Sequence, residues 1–196
     1  VDGLGINPIK EGNAVALAQT PTLQFFLKNY PYAVIDASGM AVGLPWGEVG
    51  NSEVGHINLG AGQVIYQNLP RINLAIGDQS LFKNEVLLKA IDTARKNKSN
   101  LHLVGIVSNG GVHGHIEHLD ALLHLMREQK FKDVYVHGIL DGRDTAPDVG
   151  VNFIATMLES MKTNKIGQLA TLIGRFYSMD RNNNWDRTQK GYEVMV

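Results

Sequence analysis

Strand-like apolar stretches alternate with amphipathic stretches in the second half of the chain. The pattern predicts strands at 101–107, 134–140 and 169–173. Between and after them it predicts helices at 115–129, at 149–161 and from about Trp185 onward. Strands that alternate with helices at a spacing of about 30 residues are typical of βαβ units. We therefore expect an α/β fold with a parallel sheet.

The first hundred residues are less regular, and turn residues separate the elements that the pattern predicts. We expect a helix that begins at Pro21, with Thr20 as its N-cap. An amphipathic helix is predicted at 81–96, with Ser80 as its cap. The other expected elements are a short helix at 14–18, a strand at 32–37 and a linker at 66–77.

Residues 38–62 are rich in glycine, which is typical of backbone that crowds against itself or a ligand, or of an ordered surface loop. Within them, residues 50–56 read GNSEVGH. If the protein works through a covalent intermediate, Ser52 is the candidate nucleophile, and it needs a base, a helix N-terminus or a metal ion as activator. Ser52 is alternatively a helix N-cap, and both roles are compatible because a helix N-terminus stabilises a phosphoryl group.

Polar and charged residues follow each predicted strand of the second half. The three loops read SNGGVHGH at 108–115, DGRD at 141–144 and GRFYSMDR at 174–181. Because the carboxyl ends of parallel strands meet at one edge of a sheet, we expect their side chains to gather there. The set comprises His113, Arg143, Asp144, Arg175 and Arg181. Guanidinium groups match phosphate or carboxylate oxygens, so the set predicts a site for a small polyanion, with a structural ion-pair network as the alternative.

The histidines divide into three groups. His113 and His115 are either a metal pair or a ligand-contacting residue followed by a residue that opens a helix, and we favour His113 as a ligand-contacting base or donor. Those inside predicted elements are interpreted as structural, namely His102, His124 and His137. The roles of His56 and His118 stay open.

Composition narrows the possible functions. The 196 residues are 44% hydrophobic and 19% charged, as in an ordinary globular protein, and a net charge of −1 gives no general reason to expect nucleic acid or an anionic membrane as partner. No apolar run reaches the roughly 20 residues of a membrane helix. Without cysteine, any metal must be held by His, Asp, Glu or a hydroxyl, and a cytoplasmic setting is compatible. Asp2, at the end of a presumed strand, is either a turn residue or a metal ligand.

Four segments together resemble the cofactor-independent (2,3-bisphosphoglycerate-independent) phosphoglycerate mutase family of the alkaline phosphatase superfamily. They are residues 50–56, 110–113, 140–144 and 174–181, and the resemblance runs from Asp2 to the end of the chain. It implies an isomerase of glycolysis and gluconeogenesis that interconverts 3-phosphoglycerate and 2-phosphoglycerate without 2,3-bisphosphoglycerate. It also implies that Ser52 carries the phosphoryl group as a phosphoserine intermediate.

The resemblance implies cofactors and domains as well. Two divalent metal ions are expected, usually Mn²⁺ in the family, with Asp2 and Ser52 as ligands. The substrate is expected to contact His113, Arg143, Asp144, Arg175 and Arg181. Residues 1–69 correspond to the N-terminal part of a phosphatase-like metal-binding domain, and residues 70–196 to an incomplete, inserted α/β substrate (phosphotransferase) domain. We expect a cytoplasmic monomer that binds phosphoglycerate and neither nucleic acid nor membrane.

The chain departs from the family pattern at a few positions. The family commonly has Asp where Asn109 stands, Ser at Gly114 and basic residues within 182–184, which affects details of substrate contacts. Its other metal ligands follow the position of Val196, so we expect a fragment of a longer polypeptide that is inactive by itself. Two other functions stay open: a metal-dependent phosphohydrolase of the same superfamily, and a non-catalytic module that binds a phosphorylated ligand.

Overall fold

The computed structural model describes residues 4–196, which fall into two compact units. The first unit ends at Pro70 and the second runs from Arg71 to Val196. Asp2, the predicted metal ligand, lies outside the described residues. Within the described part, no helix is long and apolar enough to span a bilayer.

The first unit contains short helices joined by irregular segments. Its elements are α1 (Ala14–Leu17), α2 (Pro21–Asn29), a 3₁₀ turn (Gly39–Val42) and α3 (Ser52–Ala61). Helix α4 (Asn68–Gly77) crosses the boundary between the units. Pro21 occupies the first turn of α2 as predicted, but the Thr20 side chain makes no capping hydrogen bond.

Two predictions for this region were wrong. In the described part of the chain, residues 32–37 form no strand, and Val34 and Ile35 are exposed. An extended segment becomes a strand only when a neighbouring strand takes up its hydrogen bonds, and a local apolar pattern cannot supply that neighbour. The predicted linker at 66–77 is instead largely α4, whose Pro70 is buried in the first turn, where proline is tolerated.

Helix α3 carries Ser52 as its first residue. The cap is Asn51, whose side chain accepts a hydrogen bond from the Val54 N–H, so the alternative of Ser52 as N-cap was wrong. Asn58 fixes the middle of the helix, because its Nδ2 donates to the Val42 carbonyl at 2.8 Å. A Cβ on Gly50 would overlap the Ala37 carbonyl oxygen. The glycine preceding this helix therefore permits a close approach of backbone to backbone.

The second unit is a three-stranded parallel sheet with helices between the strands. The strands are β1 (Leu101–Ile106), β2 (Val134–Leu140) and β3 (Gln168–Gly174), in the order β1-β2-β3. The helices are α5 (Glu85–Asn97), α6 (Ile116–Glu128), α7 (Gly150–Asn164), α8 (Arg175–Ser178) and α9 (Trp185–Met195). The parallel sheet and the positions of all three strands agree with the prediction.

The sheet buries different side chains on its two faces. Leu123 and Leu125 of α6 and Met157 of α7 are fully buried in one cluster with Val134 and Val136 of β2. On the opposite face, a smaller cluster of isoleucines packs with aromatic and methionine side chains from α8, from the residue directly after it and from α9. Its members are Ile106, Ile139, Ile173, Tyr177, Met179 and Met195.

A row of polar side chains crosses this second face. His102 Nδ1 lies 2.9 Å from His137 Nε2, and His137 Nδ1 lies 2.8 Å from Thr171 Oγ1. Burial, followed by the neighbouring His102, lowers the pKa of His137. A neutral imidazole that hydrogen-bonds on both sides is typical of a structural histidine.

The helix predicted at 81–96 begins later than expected. Residues Leu81–Lys83 form a 3₁₀ turn, and α5 starts at Glu85. Its cap is Asn84, whose Oδ1 accepts hydrogen bonds from the Val86 and Leu87 N–H groups. The prediction of Ser80 as the cap was therefore wrong, because the asparagine satisfies two backbone donors that the serine does not reach.

We expect Asn84→Ala to lower the free energy of unfolding by about 1 kcal/mol, because two N–H groups at the start of α5 lose their acceptor. Urea unfolding at neutral pH measures this difference. Ser80→Ala is the matched control and should change stability less, since Ser80 makes no capping hydrogen bond. Equal losses for both variants would contradict this assignment of the cap.

Candidate functional site

Strand register brings three polar residues to equivalent positions. Ile106 of β1 pairs with Ile139 of β2, which pairs with Ile173 of β3. The residues two positions beyond this row are Ser108, Asp141 and Arg175. All three come within two residues of the end of their strand, so they lie together at the carboxyl edge of the parallel sheet.

Asp141 hydrogen-bonds with residues of all three loops. Its Oδ2 accepts from the Ser108 hydroxyl at 2.8 Å, and its Oδ1 accepts from Arg175 Nη1 at 2.7 Å. The same Oδ1 accepts from the backbone N–H groups of Arg143 at 3.2 Å and Asp144 at 3.0 Å. Only 2% of the Asp141 side chain is exposed.

Gly110 brings the first loop against this carboxylate. Its N–H donates to the Ser108 hydroxyl at 3.3 Å. A Cβ at this position would lie 3.0 Å from Asp141 Oδ2, 3.0 Å from the Asp144 Cβ and 3.2 Å from the Asp144 carbonyl oxygen. Contacts of that length are tighter than an ordinary packing contact, so a side chain here would displace Asp141 or Asp144 by a few tenths of an ångström.

The environment of Asp141 favours its ionised form. Burial by itself would raise the pKa of this carboxyl group. Hydrogen bonds from the Asp144 backbone, Arg175, Ser108 and the Arg143 backbone outweigh burial and lower the pKa to about 2. The same contacts, from Asp141 first and then Asp144, raise the pKa of Arg175. Both groups are therefore charged at neutral pH.

Arg175 is ion-paired with two carboxylates. Its Nη1 lies 2.7 Å from Asp141 Oδ1 and 2.5 Å from Asp144 Oδ2, and 11% of its side chain is exposed. These three side chains together carry a formal charge of −1. Attraction of an anion to this edge therefore depends on other cations, and the candidates are Arg143 and Arg181.

Arg143 and Arg181 are both exposed. Asp180, with a 4% exposed side chain, accepts hydrogen bonds from the Asn184 backbone and side chain and an ion pair from Arg187 at 3.3 Å. These contacts, the Asn184 side chain first, lower the pKa of Asp180. Asp180 therefore holds the turn that carries Arg181, while Arg181 itself is exposed to solvent.

His113 lies in the loop after β1 and is exposed. It borders a cavity of about 370 Å³ beside that strand, together with His115 and His118. His115 is the N-cap of α6, as the helix-opening alternative predicted, because its Nδ1 accepts from the Glu117 N–H at 3.3 Å. Of the predicted site residues that the structure describes, His113 alone lines this cavity. The gathering of all five side chains around one ligand stays a prediction.

Ser52 lies beside His56 on α3. The ring Nδ1 of His56 is 2.7 Å from the Ser52 carbonyl oxygen and 3.1 Å from its Oγ. A carbonyl oxygen only accepts, so Nδ1 carries the proton, and this nitrogen cannot take one from the serine. The Ser52 hydroxyl therefore has an N–H donor directed at it, and His56 Nδ1 is not a base for it.

Metal binding needs more ligands than the described residues bring together. Within residues 4–196, no three His, Asp or Glu side chains form a group that could hold a metal ion. Of the two predicted metal ligands, the described part includes only Ser52. The residues described do not by themselves fit a metal centre.

Comparison with known proteins gives the family. A family model described as the N-terminus of BPG-independent PGAM matches residues 72–196. The chain belongs to the BPG-independent phosphoglycerate mutase family. A 2,3-bisphosphoglycerate-independent phosphoglycerate mutase of Clostridium perfringens is 50% identical over all 196 residues, and one of Methanosarcina acetivorans is 48% identical. The resemblance found in the sequence is thereby confirmed.

This chain spans only part of these phosphoglycerate mutases. It covers 38% of the length of the curated relatives. A crystal structure of the Leishmania mexicana phosphoglycerate mutase, determined at low cobalt concentration, matches 98% of this chain and 37% of its own. The TM-score is 0.68 at 30% sequence identity. The α/β fold is therefore that of a phosphoglycerate mutase.

The sequence prediction missed Asp141, Ser108 and Gly110. A signal was present, because each strand has an isoleucine at its last or second-to-last position and, two residues after that isoleucine, a serine, an aspartate or an arginine. Aligning the strands on those isoleucines would have placed the three polar residues side by side. Asp144 and Arg175, by contrast, were predicted and do lie together.

The Asp141 carboxylate should stabilise the fold in a pH-dependent way. Folding lowers its pKa from an ordinary 3.8 to about 2, so the stabilisation is present above 3.8 and disappears as the pH falls toward 2. At about 1.4 kcal/mol per pKa unit this amounts to about 2 kcal/mol. We expect the stability difference between wild type and Asp141→Asn to shrink by about that amount from about pH 6 to about pH 2.

Urea unfolding across this pH range measures the difference. Asp148→Asn, an exposed position in the same loop, controls for the loss of one carboxylate. A difference between wild type and Asp141→Asn that does not change with pH would contradict the prediction.

Proposed function

We propose that this chain takes part in the interconversion of 3-phosphoglycerate and 2-phosphoglycerate by the 2,3-bisphosphoglycerate-independent route. The observation that supports this most is the 50% identity, over the whole chain, to a curated mutase of that type. The loops at the carboxyl edge of the sheet fit such a substrate, because Arg143 and Arg181 are exposed cations and Arg175 is a fixed one. We propose that His113 and Asp144 also contact the substrate.

Ser52 is the proposed acceptor of the phosphoryl group. The group leaves O3 of the glycerate and forms a P–O bond with Ser52 Oγ, while O3 receives the proton that Oγ gives up. The glycerate then reorients, the P–O bond to Oγ breaks as O2 takes the group back, and the proton that O2 gives up returns to Oγ. No water is consumed, so substrate and product are isomers. An exposed hydroxyl in the first turn of α3 suits this role, because a helix N-terminus favours a phosphoryl group.

Metal ions are part of the proposal. Asp2 and Ser52 would contribute ligands from this chain, and the remaining ligands would come from residues outside the described part. Two divalent ions, with Mn²⁺ as the proposed metal, would favour ionisation of the Ser52 hydroxyl and neutralise the transferring phosphoryl group. An activator other than His56 agrees with the proton on its Nδ1. We further propose that residues 1–69 belong to a phosphatase-like metal-binding domain and residues 70–196 to an inserted substrate domain. We also propose that the protein is a cytoplasmic monomer.

The central test follows the product and the intermediate. We expect the complete protein to convert 3-phosphoglycerate to 2-phosphoglycerate with Mn²⁺ and without 2,3-bisphosphoglycerate, and acid quenching should trap phosphate on the peptide that contains Ser52. Ser52→Ala should abolish both signals, and Ser80→Ala should retain both. Release of free phosphate in place of 2-phosphoglycerate would favour a phosphohydrolase, and ligand binding without turnover would favour a binding module. Residues 1–196 alone should show no activity.

Arg175→Lys tests the role of the guanidinium group. A lysine retains a charge for the two aspartates, but its single ammonium group cannot also bind two oxygens of a ligand. We expect kcat/KM to fall about 100-fold, the loss expected for one bidentate charged interaction, with little change in stability. Steady-state kinetics together with thermal unfolding measure this. Loss of the fold in Arg175→Lys, or unchanged kinetics, would contradict the assignment.

A further inference from the structure

We infer that Asp141 is a positioning residue for the ligand: it holds Arg175 by Nη1 and so leaves the Nε–Nη2 edge of the guanidinium group for a phosphate or carboxylate. The inference rests on the proposed function, because it assumes an anionic ligand at this edge of the sheet. Asp141 itself need not touch the ligand. It acts through Arg175, and through the backbone of the loop that carries Arg143.

The first step concerns the donors of Arg175. A guanidinium group has five N–H donors, two of them on Nη1. The two carboxylate oxygens at Nη1, from Asp141 and Asp144, match those two donors. No hydrogen bond joins the Nε and Nη2 donors to any other residue in the range 4–196. The Nε–Nη2 edge is a pair of parallel donors, which is the geometry that binds two oxygens of one oxyanion.

The second step distinguishes the two aspartates. Asp141 is fixed from several directions, since its oxygens also accept from the Ser108 hydroxyl and from two backbone N–H groups. Asp144 is 20% exposed at its side chain, against 2% for Asp141. The backbone of Asp144 is itself held by Asp141 at 3.0 Å. Asp141 is therefore the fixed point, and the orientation of Asp144 depends on it.

The third step extends the effect to a second cation. The backbone N–H of Arg143 donates to Asp141 Oδ1 at 3.2 Å, so the turn that carries this exposed arginine starts from the same carboxylate oxygen. One buried carboxylate thus sets the side chain of Arg175 and the backbone of Arg143. Displacing it would shift two of the proposed ligand contacts together.

The test measures ligand binding separately from turnover. In the complete protein that contains this chain, calorimetry gives the Kd for 3-phosphoglycerate, and steady-state kinetics give KM and kcat. We expect Asp141→Ala to raise both Kd and KM by about 10-fold or more. Asp141→Asn keeps an oxygen acceptor for Arg175 and should restore most of the affinity, to within about 3-fold of wild type. Asp148→Asn should leave Kd and KM unchanged.

A purely structural role predicts a different result. Partial unfolding lowers the folded fraction and with it the apparent kcat, but it leaves the KM and Kd of the folded molecules unchanged. A second variant keeps the Asp141 residue but displaces its carboxylate, because the Cβ of Gly110→Ala would lie 3.0 Å from Asp141 Oδ2 and from the Asp144 Cβ. It should also raise Kd. Gly77→Ala is its control, since a Cβ there meets nothing within 4 Å.

Each outcome decides the inference. Unchanged Kd and KM in Asp141→Ala would overturn it. If that variant does not fold, an unchanged Kd in Gly110→Ala, or an equal loss of affinity in Gly77→Ala, would overturn it. If wild type binds 3-phosphoglycerate but forms no 2-phosphoglycerate, the proposed function fails while Asp141 is still tested by the Kd values. If wild type binds neither 3-phosphoglycerate nor inorganic phosphate, both proposals fail.

Discussion

A single buried carboxylate connects the three loops at the carboxyl edge of the sheet. Asp141 accepts hydrogen bonds from a serine after β1, from two backbone groups after β2 and from an arginine after β3. A buried charge is costly unless it is paired and hydrogen-bonded, and here every contact favours the charged form. The loops cannot separate without leaving that charge unsatisfied. The hydrogen bonds of one side chain therefore determine the geometry of this edge of the sheet.

The same arrangement changes how the arginines are understood. Charge counting alone would make Arg143, Arg175 and Arg181 three equal contributors to an anion site. The structure gives Arg175 two carboxylate partners, so its charge is more than balanced locally. In the proposed anion site its contribution would then be directional, from fixed N–H groups, while the exposed arginines would contribute the net positive charge. The ion-pair alternative and the ligand-binding hypothesis are thus compatible for this residue.

Sequence reasoning succeeded where local patterns determine structure. The strands at 101–106, 134–140 and 168–174 are short apolar runs between amphipathic helices, and their carboxyl-edge loops were recognised from composition alone. It failed where a distant partner decides. Residues 32–37 have strand-like composition but no strand beside them in the described part of the chain. Helix starts were misassigned where asparagine competes with serine as the cap, as at Asn51 and Asn84.

The candidate site shows the same division. Asp144 and Arg175 were predicted as ligand contacts. Asp141 stands in the same DGRD loop, but its place between Ser108 and Arg175 follows only from the register between strands, which no single segment contains. That register has a consequence for how the chain tolerates changes in length. The two-residue steps from Ile106, Ile139 and Ile173 must all stay equal, because one inserted or deleted residue in any of them would move its polar side chain out of line with the other two and break their hydrogen bonds. Length variation can therefore accumulate in the later parts of these loops, but not in the steps that leave the sheet.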